Sequence, residues 1–351
     1  MNPGFWAGRR VLVTGITGFK GAWLALWLKD LGARVCGYSL APPTSPSLFD
    51  VARLRSDVDW IEADVRDRTR LVHEVGAWRP EVLFHLAAQS LVRVSYEQPA
   101  ETFDTNVMGT VNVLEAVRAC PDVRAAVIVT SDKCYENREW DWPYRENDRL
   151  GGHDPYSSSK ACAELVAACY ARSLLKETPV GVATARAGNV IGGGDWARDR
   201  LVPDIVSALA TGRTPRVRNP ASIRPWQHVI EPLSGYLLLA ERLFEQPRAF
   251  AGSWNFGPPA DAVQSVSAVA DAVCKGWGDG ASWTRDELPQ PHEARILTLD
   301  SSKARRSLAW RPRLDYLDAV RWTVDWYKAN GAGMDMARET RRQLERYQEL
   351  S

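Results

Sequence analysis

The fold of this chain is decided by the stretch Val11-Leu12-Val13-Thr14-Gly15-Ile16-Thr17-Gly18-Phe19-Lys20-Gly21, close to its beginning. Three β-favouring residues lead into three glycines with the spacing G-x-x-G-x-x-G, and an apolar segment with helical periodicity follows. A glycine backbone can approach a pyrophosphate, whose charge is favoured by the free N–H groups at the start of a helix. The stretch therefore predicts a strand, a tight turn and a helix that bind a dinucleotide; a glycine turn without a ligand is the alternative.

The chain continues as an alternation of strands and helices. Strands are predicted at residues 34–40, 58–62, 81–88, 124–131, 180–185 and 229–230, and helices at 66–78, 101–120 and 155–172. The run at 81–88 is almost continuously apolar, as expected for a strand that is covered on both faces. Repeated βα units predict an α/β fold with a doubly wound parallel sheet of the Rossmann type.

A smaller C-terminal substrate-binding lobe is predicted to interleave with this sheet in sequence. Residues 1–187 are assigned to the dinucleotide-binding domain. The segment Trp254-Asn255-Phe256-Gly257 is typical of a late strand, so residues 224–256 are expected to return to the sheet. Residues 188–223 and 257–351 then form the substrate-binding lobe and the C-terminal helices.

Charge and composition exclude several classes of function. The 351 residues include 44 Lys and Arg against 43 Asp and Glu, so that no long-range field recruits nucleic acid or an anionic membrane. The six cysteines form no C-x-x-C and no cluster with histidine, which argues against a metal site and a disulfide framework. The first residues lack the apolar core of a signal peptide, and no apolar run reaches about 18 residues. We therefore expect a cytoplasmic protein.

The carboxyl ends of the predicted strands are expected to face a ligand crevice. The candidate residues for dinucleotide binding are Gly15, Thr17, Gly18, Phe19, Gly21, Asp64, Val65, Leu86, Ala87 and Ala88. Asp64 is a candidate for the adenine edge, and a solvated loop acid or a helix N-cap is the alternative. The second strand ends in Ser39 and Leu40 rather than in an acid, so this position does not decide between NAD and NADP.

A tyrosine and a lysine one helical turn apart are the strongest chemical signal. In Tyr156-Ser157-Ser158-Ser159-Lys160, the i, i+4 spacing puts the phenol and the ammonium on one face of a predicted helix. A nearby cation favours the phenolate, so we expect the pKa of Tyr156 to be lowered from about 10. Ser131, at the end of a strand, is predicted to hydrogen-bond a substrate oxygen beside Tyr156. A random surface pair of Tyr and Lys is the alternative.

Several motifs resemble the extended short-chain dehydrogenase/reductase superfamily: TGITGFKG at residues 14–21, LAAQ at 86–89 and YSSSK at 156–160. The segments FKGAWLALWL, TSDKCYENREW, YRENDRLGGHDPYSSSKACAELVA and RAGNVIGGGDWARDRLVPDI are more closely similar to the CDP-glucose 4,6-dehydratases. The resemblance implies bound NAD and a nucleoside-diphosphate sugar as substrate, with CDP-glucose favoured. It extends from about Phe5 to the Trp310 region.

The resemblance also implies a sequence of chemical steps. Tyr156 would remove the C4 hydroxyl proton while a hydride passes to NAD⁺, and Lys160 would hold the nicotinamide ribose. Water would then be lost across C5 and C6, and the hydride would return to C6. Asp132 is the candidate acid and Lys133 the candidate base at C5. In related dTDP-glucose dehydratases Glu occupies the place of Lys133; an ion pair that only orients the loop, or assistance by Tyr135, are alternatives.

The second half of the chain is expected to hold the nucleotide diphosphate. By similarity to the family, the candidate substrate-binding residues are Gln89, Asn189, Arg200, Leu201, Arg224 and Arg295. Arginine suits a diphosphate because its planar fork binds two oxygens at once. The glycines at 192–194 are predicted to let backbone N–H groups approach an anion, or else to form a flexible loop tip. Arg213 and Arg216 are expected to be solvated.

The superfamily commonly pairs the helices predicted at 101–120 and 155–172 across a dimer interface, which implies a homodimer or higher homo-oligomer. Burial within one chain would explain the apolar faces of these helices equally.

Three alternative functions remain: a nucleotide-sugar 4-epimerase, a dehydratase for another nucleotide sugar and a catalytically silent dinucleotide-binding regulator. Asp132 favours a dehydratase over an epimerase, and the presence of both Tyr156 and Lys160 favours an enzyme over a regulator.

Overall fold

A seven-stranded parallel sheet forms the centre of the molecule, in a computed structural model that describes residues 2–259, 262–287 and 294–350. Its strands are β1 (Arg10–Thr14), β2 (Arg34–Ser39), β3 (Asp59–Glu62), β4 (Val82–His85), β5 (Ala125–Val129), β6 (Gly181–Ala187) and β7 (Gly252–Phe256). They are arranged in the order β7-β6-β5-β4-β1-β2-β3, and every neighbouring pair is parallel. The predicted Rossmann-type sheet is confirmed.

Helices cover both faces of this sheet, because successive strand residues point to opposite sides. Val11 and Val13 of β1 join one apolar cluster, with the helices Phe19–Asp30 and Ile230–Glu245, whereas Leu12 joins another. That second cluster contains residues of the helices Arg68–Trp78, Gly109–Ala119 and Pro155–Cys169. β4, β5 and β6 are buried along their whole length, as the apolar sequences of β4 and β5 predict.

The return of the chain to the sheet near residue 254 is confirmed. β7 pairs with β6 in a parallel register that places Trp254 opposite Ala185. The prediction of a strand at Val229-Ile230 is wrong, since a short strand occupies Gln227–His228 and the helix begins at Ile230. Two β-branched residues favour a strand locally, but here burial of an amphipathic helix against the sheet prevails over local propensity.

The helix predicted at 101–120 is interrupted by one π-helical turn. The structure has α-helix at Pro99–Phe103, π-helix at Asp104–Met108 and α-helix at Gly109–Ala119. A π turn inserts one residue into the helical repeat and is common at functional sites. Its consequence here is the placement of Asn106, which is described with the site.

The remaining helices and strands surround the sheet and its C-terminal edge. The longer helices among them are Leu201–Ala210, Val266–Trp277, Tyr316–Gly331 and Met336–Glu349. Shorter helical segments are Pro3–Trp6, Leu48–Val51, Leu54–Asp57, Val92–Glu97, Asp132–Cys134, Tyr170–Leu174, Pro247–Phe250 and Ser302–Ser307, and short strands are Val190–Ile191, Arg216–Val217, Ile223–Pro225, Val263–Ser265 and Thr284–Arg285. Within the described ranges, no helix combines the length and the apolar character needed to cross a bilayer.

Candidate active site

The glycine turn after β1 forms a cradle that only glycine permits. Gly15 has a φ of +71°, and a Cβ at this position would lie 2.6 Å from the backbone nitrogen of Ala87. A Cβ on Gly21 would lie 2.2 Å from the carbonyl oxygen of Gly15. Gly18 is the N-cap of the helix that begins at Phe19, and no side chain in the described part of the chain caps it. The first N–H groups of this helix are therefore available to a pyrophosphate, and the cradle fits a dinucleotide.

The loop after β4 is tied to this turn through Thr14. Its hydroxyl oxygen accepts hydrogen bonds from the backbone nitrogens of Leu86 and Ala87, each at 3.2 Å, and lies 2.7 Å from Nδ1 of His85. These bonds end β4 at His85, three residues before the predicted boundary. Burial lowers the pKa of His85 to about 3, so the ring is neutral at physiological pH.

Two further candidates for cofactor binding make contacts within the loops that carry them. The Thr17 hydroxyl donates to the carbonyl oxygen of Leu40 at 2.9 Å. The carboxylate of Asp64 accepts hydrogen bonds from the side chain of Arg66 at 2.6 and 2.9 Å. The pKa of Asp64 is lowered overall: partial burial alone would raise it, but the hydrogen bonds from Arg66 outweigh that effect. Binding of the adenine by Asp64 stays a prediction; Val65 next to it is buried against Gly109.

The helix Pro155–Cys169 carries the tyrosine and the lysine. It begins after Asp154, whose carboxylate caps it by accepting from the backbone nitrogen of Ser157 at 2.9 Å, and a proline at the first position suits the helix start. Tyr156 and Lys160 are 7% and 5% exposed, so the pair is no solvated surface pair. The Nζ atom of Lys160 donates to the carbonyl oxygen of Val129 at the end of β5.

The expected lowering of the pKa of Tyr156 is wrong for the protein alone. Burial raises the pKa of Tyr156 to about 12, although a hydrogen bond with the Ser131 side chain opposes the rise. The reason is that removing a phenolate from water costs more than the surrounding dipoles and charges return. Burial also lowers the pKa of Lys160, to about 8, which leaves it mostly protonated at neutral pH.

Ser131 and Asp132 follow β5 and lie beside Tyr156. The Ser131 hydroxyl is 3.0 Å from Oδ1 of Asp132, to which it donates, and its side chain also meets the Tyr156 phenol. Asp132 is 2% exposed, and its Oδ2 has no hydrogen-bond partner within the described ranges. Burial raises the pKa of Asp132, which favours the protonated carboxyl group. An acid in this state can donate a proton to a leaving group.

Lys133 and Tyr135 have different surroundings. Lys133 is partly buried, its backbone nitrogen donates to the Ser131 hydroxyl, and its side chain makes no ion pair with the carboxylates that the structure describes. Tyr135 is 1% exposed; its hydroxyl donates to Oδ1 of Asn255 and accepts from Arg186, both at 2.7 Å. Burial raises the pKa of Tyr135, so assistance by its phenol at C5 is not supported.

Asn106 belongs to the site, although the sequence analysis did not single it out. The π turn directs the Asn106 side chain toward the backbone of Gln89. Its Oδ1 accepts from the Gln89 nitrogen, and its Nδ2 donates to the Gln89 carbonyl oxygen, each at 2.9 Å. Asn106 also donates to the Ser159 hydroxyl at 2.8 Å, on the helix that carries Tyr156. The Gln89 side chain donates to Thr102 at 2.9 Å. The same segment also contains Asp104, Thr105 and Asn112, so the sequence carries no signal that distinguishes Asn106.

The candidate diphosphate ligands are only partly brought together. Arg200, at the start of the helix Leu201–Ala210, pairs with Asp195 at 2.7 Å and donates to the Ser90 hydroxyl at 3.0 Å. Arg224 is 6% exposed and donates to the backbone carbonyl of Arg295 at 3.2 Å, so these two lie side by side. Arg295 is itself exposed. Asn189 accepts from the backbone of Gln227 at the strand pair beside the crevice.

The predicted anion-binding role of the glycines at 192–194 is not supported, because this run is buried and packs against side chains. A Cβ on Gly193 would lie 2.0 Å from the ring of Trp326, and one on Gly194 would lie 2.8 Å from Leu48. Close packing against Trp326 and Leu48 therefore needs glycine at these two positions, and the buried run is not a loop tip. Arg213 and Arg216 are exposed, as expected.

Lys20, inside the glycine motif, also lies at the site, although the motif predicts no role for it. It is the second residue of the helix Phe19–Asp30 and is partly buried. The charges of Arg200, Asp132 and Lys160 act on it, which places its ammonium among the catalytic and diphosphate-binding candidates. A single lysine inside a glycine motif has no distinguishing pattern in sequence.

This arrangement of sheet, glycine turn and Tyr/Lys helix is that of the extended short-chain dehydrogenases/reductases. Two solved structures share the fold: the UDP-glucose-4-epimerase of Stenotrophomonas maltophila, with a TM-score of 0.81, and the dTDP-glucose 4,6-dehydratase of Streptomyces venezuelae, with a TM-score of 0.79. Each is 24% identical to this chain and covers 93% of it, and 99% of each of those chains is matched. At this identity the likeness shows the fold alone.

The chain belongs to the GDP-mannose 4,6 dehydratase family, whose model matches residues 12–256. It is 49% identical over 352 residues to the CDP-glucose 4,6-dehydratase of Salmonella typhimurium, with 99% of this chain and 98% of that protein covered. A dTDP-glucose 4,6-dehydratase of Xanthomonas campestris is 26% identical over 333 residues, covering 91% of this chain and 93% of that protein. The resemblance noted from the motifs is confirmed.

Proposed function

We propose that this protein is a hydro-lyase that converts CDP-glucose to CDP-4-keto-6-deoxyglucose with bound NAD. One observation carries the reaction: the Ser131 side chain hydrogen-bonds the Asp132 carboxyl group and also acts on the Tyr156 phenol, whose pKa it lowers against the larger effect of burial. A proton acceptor and a proton donor therefore face the same small volume, as oxidation at C4 and loss of the C6 hydroxyl require. The 49% identical relative, which carries the name CDP-glucose 4,6-dehydratase, supports the choice of nucleotide.

The cradle of Gly15, Gly18 and Gly21 holds the pyrophosphate of the cofactor, with Thr17, Phe19, Asp64, Val65 and residues 86–88 around it. When bound there, NAD⁺ would supply the hydride acceptor for C4 of the sugar and the hydride donor for C6. Lys160 holds the nicotinamide ribose. Because the hydride returns within one turnover, no net oxidation of the sugar occurs.

Tyr156 accepts the proton of the C4 hydroxyl. The phenol must be ionised to do so, and the Ser131 hydroxyl together with the charge of Arg200 favours that ionisation. Ser131 also orients the C4 oxygen. Oxidation at C4 makes the C5 proton acidic, which prepares the elimination.

Asp132 donates a proton to the C6 hydroxyl, which leaves as water. Its buried position raises the pKa of the carboxyl group, which favours the protonated form that this step needs. Lys133 is the proposed base at C5, supported by its place next to Asp132 and by its side chain being free of ion pairs in the described ranges.

The nucleotide diphosphate is assigned to Gln89, Asn189, Arg200, Leu201, Arg224 and Arg295, and the lobe formed by residues 188–223 and 257–351 is assigned to substrate binding. The support is the position of Arg200 against Ser90 and of Arg224 against the Arg295 backbone. The guanidinium groups of Arg200 and Arg224 lie at two places along the crevice, and each can bind one of the two phosphates of such a substrate.

Incubation of the purified protein with CDP-, dTDP-, GDP- and UDP-glucose tests the proposal. We expect formation of the 4-keto-6-deoxy sugar from CDP-glucose, followed by its absorbance in alkali and by mass spectrometry as a loss of water. Dehydration of another nucleotide sugar, with CDP-glucose left unchanged, would show that CDP-glucose is not the substrate but that the reaction is the proposed dehydration. Conversion to a 4-epimer without loss of water would overturn the reaction.

A homodimer or higher homo-oligomer in the cytoplasm is part of the proposal. The helical segments at 99–119 and 155–169 leave Phe103, Met108 and Leu165 between 37% and 60% exposed, which suits a surface that pairs with a second copy. All six cysteines are free, in keeping with a reducing compartment. Light scattering during gel filtration measures the mass, and a monomer across micromolar concentrations would contradict the oligomer.

A further inference from the structure

Lys20 is a partly buried cation that has no counter-ion among the residues that the structure describes. It follows the glycine turn directly, at the second position of the helix Phe19–Asp30. Among the described residues, its ammonium makes no ion pair and no hydrogen bond, whereas Arg200 in the same crevice has both. A lysine that leaves water without a partner loses hydration that a ligand can replace.

The acids near Lys20 are not available to neutralise it. The charges acting on its ammonium include those of Asp132 and Asp195. Asp195 is occupied by Arg200 at 2.7 Å, and burial raises the pKa of Asp132, which favours its uncharged form. The other charges acting on Lys20 are the cations of Arg200 and Lys160. This part of the crevice therefore holds a surplus of positive charge.

We propose that the ammonium of Lys20 binds a diphosphate in this crevice, joining the glycine cradle to Arg200 as a single anion site. The inference rests on the proposed function to the extent that a nucleotide diphosphate enters the crevice. Two diphosphates are available to it, that of the dinucleotide on the cradle and that of the nucleotide sugar beside Arg200. A diphosphate supplies the two negative charges that this surplus requires.

The physical argument is one of charge and position. Burial together with the cation of Arg200 lowers the pKa of Lys20 to about 8, so the ammonium is the dominant form at neutral pH but is held without compensation. A phosphate next to it restores a favourable environment for the charge, and the attraction is stronger in a partly dry crevice than in water. The flexible stem of lysine lets one ammonium reach phosphate oxygens that a rigid fork could not.

Calorimetric titration of CDP and of NAD⁺ into the full-length protein tests the inference. The variant Lys20→Met keeps the apolar stem and removes the charge. Lys29→Met is the matched control, because Lys29 lies in the last turn of the same helix. We expect Lys20→Met to weaken binding of at least one ligand by about tenfold, the size of one charge-assisted hydrogen bond, and Lys29→Met to leave both dissociation constants within twofold.

The pattern of loss identifies the diphosphate. Weaker binding of CDP with NAD⁺ unchanged assigns Lys20 to the nucleotide sugar, and the reverse assigns it to the cofactor. Unchanged dissociation constants for both ligands overturn the inference. If circular dichroism shows that Lys20→Met does not fold, Lys20→Gln gives the same comparison. The amount of NAD that copurifies with the variant, relative to the unaltered protein, is a further readout.

The outcome is separable from that of the proposed function. Turnover of CDP-glucose by the unaltered protein together with full ligand affinity in Lys20→Met would reject the role of Lys20 alone. The unaltered protein could instead leave CDP-glucose unchanged while Lys20→Met binds CDP or NAD⁺ more weakly. That result would rule out CDP-glucose as the substrate and support the role of Lys20.

Discussion

Glu164 and Arg186 form an ion pair of 2.7 Å whose two side chains are only 1% and 2% exposed. Glu164 lies one helical turn after Lys160, and it also accepts hydrogen bonds from the hydroxyls of Thr130 and Thr184 at 2.5 and 2.7 Å. Thr130 directly precedes Ser131. Glu164 therefore fastens the helix that carries Tyr156 to β6 through Arg186, and to the strand end that carries Ser131 and Asp132 through Thr130.

Removal of one partner of this pair is expected to be costly. Arg186→Met leaves a buried carboxylate without its cation and should lower the free energy of unfolding by about 3–5 kcal/mol. The double variant Arg186→Met/Glu164→Gln, which buries no charge, should recover part of that loss. Urea denaturation followed by circular dichroism measures both. A loss below about 1 kcal/mol for Arg186→Met would show that the pair does not hold the site together.

Tyr156→Phe removes the proton acceptor at C4. We expect the oxidation step to slow by about 10²–10⁴-fold, the usual contribution of general base catalysis. Absorbance of reduced cofactor in a single turnover measures that step directly. Tyr170→Phe is the control, since Tyr170 follows the same helix but donates to Glu115 away from Tyr156. Retained oxidation in Tyr156→Phe would remove the phenol from the base role.

Asp132→Asn separates oxidation from dehydration. The amide keeps the size of the side chain but cannot supply a proton to the C6 hydroxyl, so oxidised sugar and reduced cofactor should accumulate while loss of water falls by about 10²–10⁴-fold. Rapid mixing with absorbance and mass detection follows both species. Product formation at the unaltered rate would assign the acid elsewhere.

Stability is expected to depend on the ionisation of Glu231. Its Oε1 accepts from the backbone nitrogens of Arg313 and Leu314, its Oε2 accepts from the Tyr347 hydroxyl, and burial raises its pKa from 4.5 to about 7. The folded state therefore binds a proton that the unfolded state releases. The free energy of unfolding should fall by about 3 kcal/mol as the pH rises from about 4.5 through 7.

Glu231→Gln isolates this contribution, because the amide does not titrate. The difference in unfolding free energy between the unaltered protein and Glu231→Gln should change over that pH window, with the unaltered protein losing stability relative to the variant as the pH rises. A difference that stays constant from pH 4.5 to 8 would mean that Glu231 titrates alike in both states.

The sequence was sufficient for the sheet and for the neighbourhood of Ser131, Asp132 and Tyr156, whose catalytic roles stay predictions. The apolar runs predict the buried strands β4 and β5, and the glycine spacing predicts the turn, because both depend on residues that are neighbours in sequence. The π turn that positions Asn106 was missed because one inserted residue barely alters helical periodicity. The direction of the pKa shift of Tyr156 and the packing of Gly193 against Trp326 depend on residues distant in the chain, which no spacing records.

The strand at Gly252–Phe256 has a consequence for biosynthesis. Its neighbour Gly181–Ala187 remains an open edge until about 70 further residues have left the ribosome, and Asn255, which receives the Tyr135 hydroxyl, is absent until then. The nascent cofactor-binding half thus exposes an unpaired edge of the kind that recruits other chains. Translation that stops before this point yields a fragment prone to aggregation rather than a smaller working enzyme.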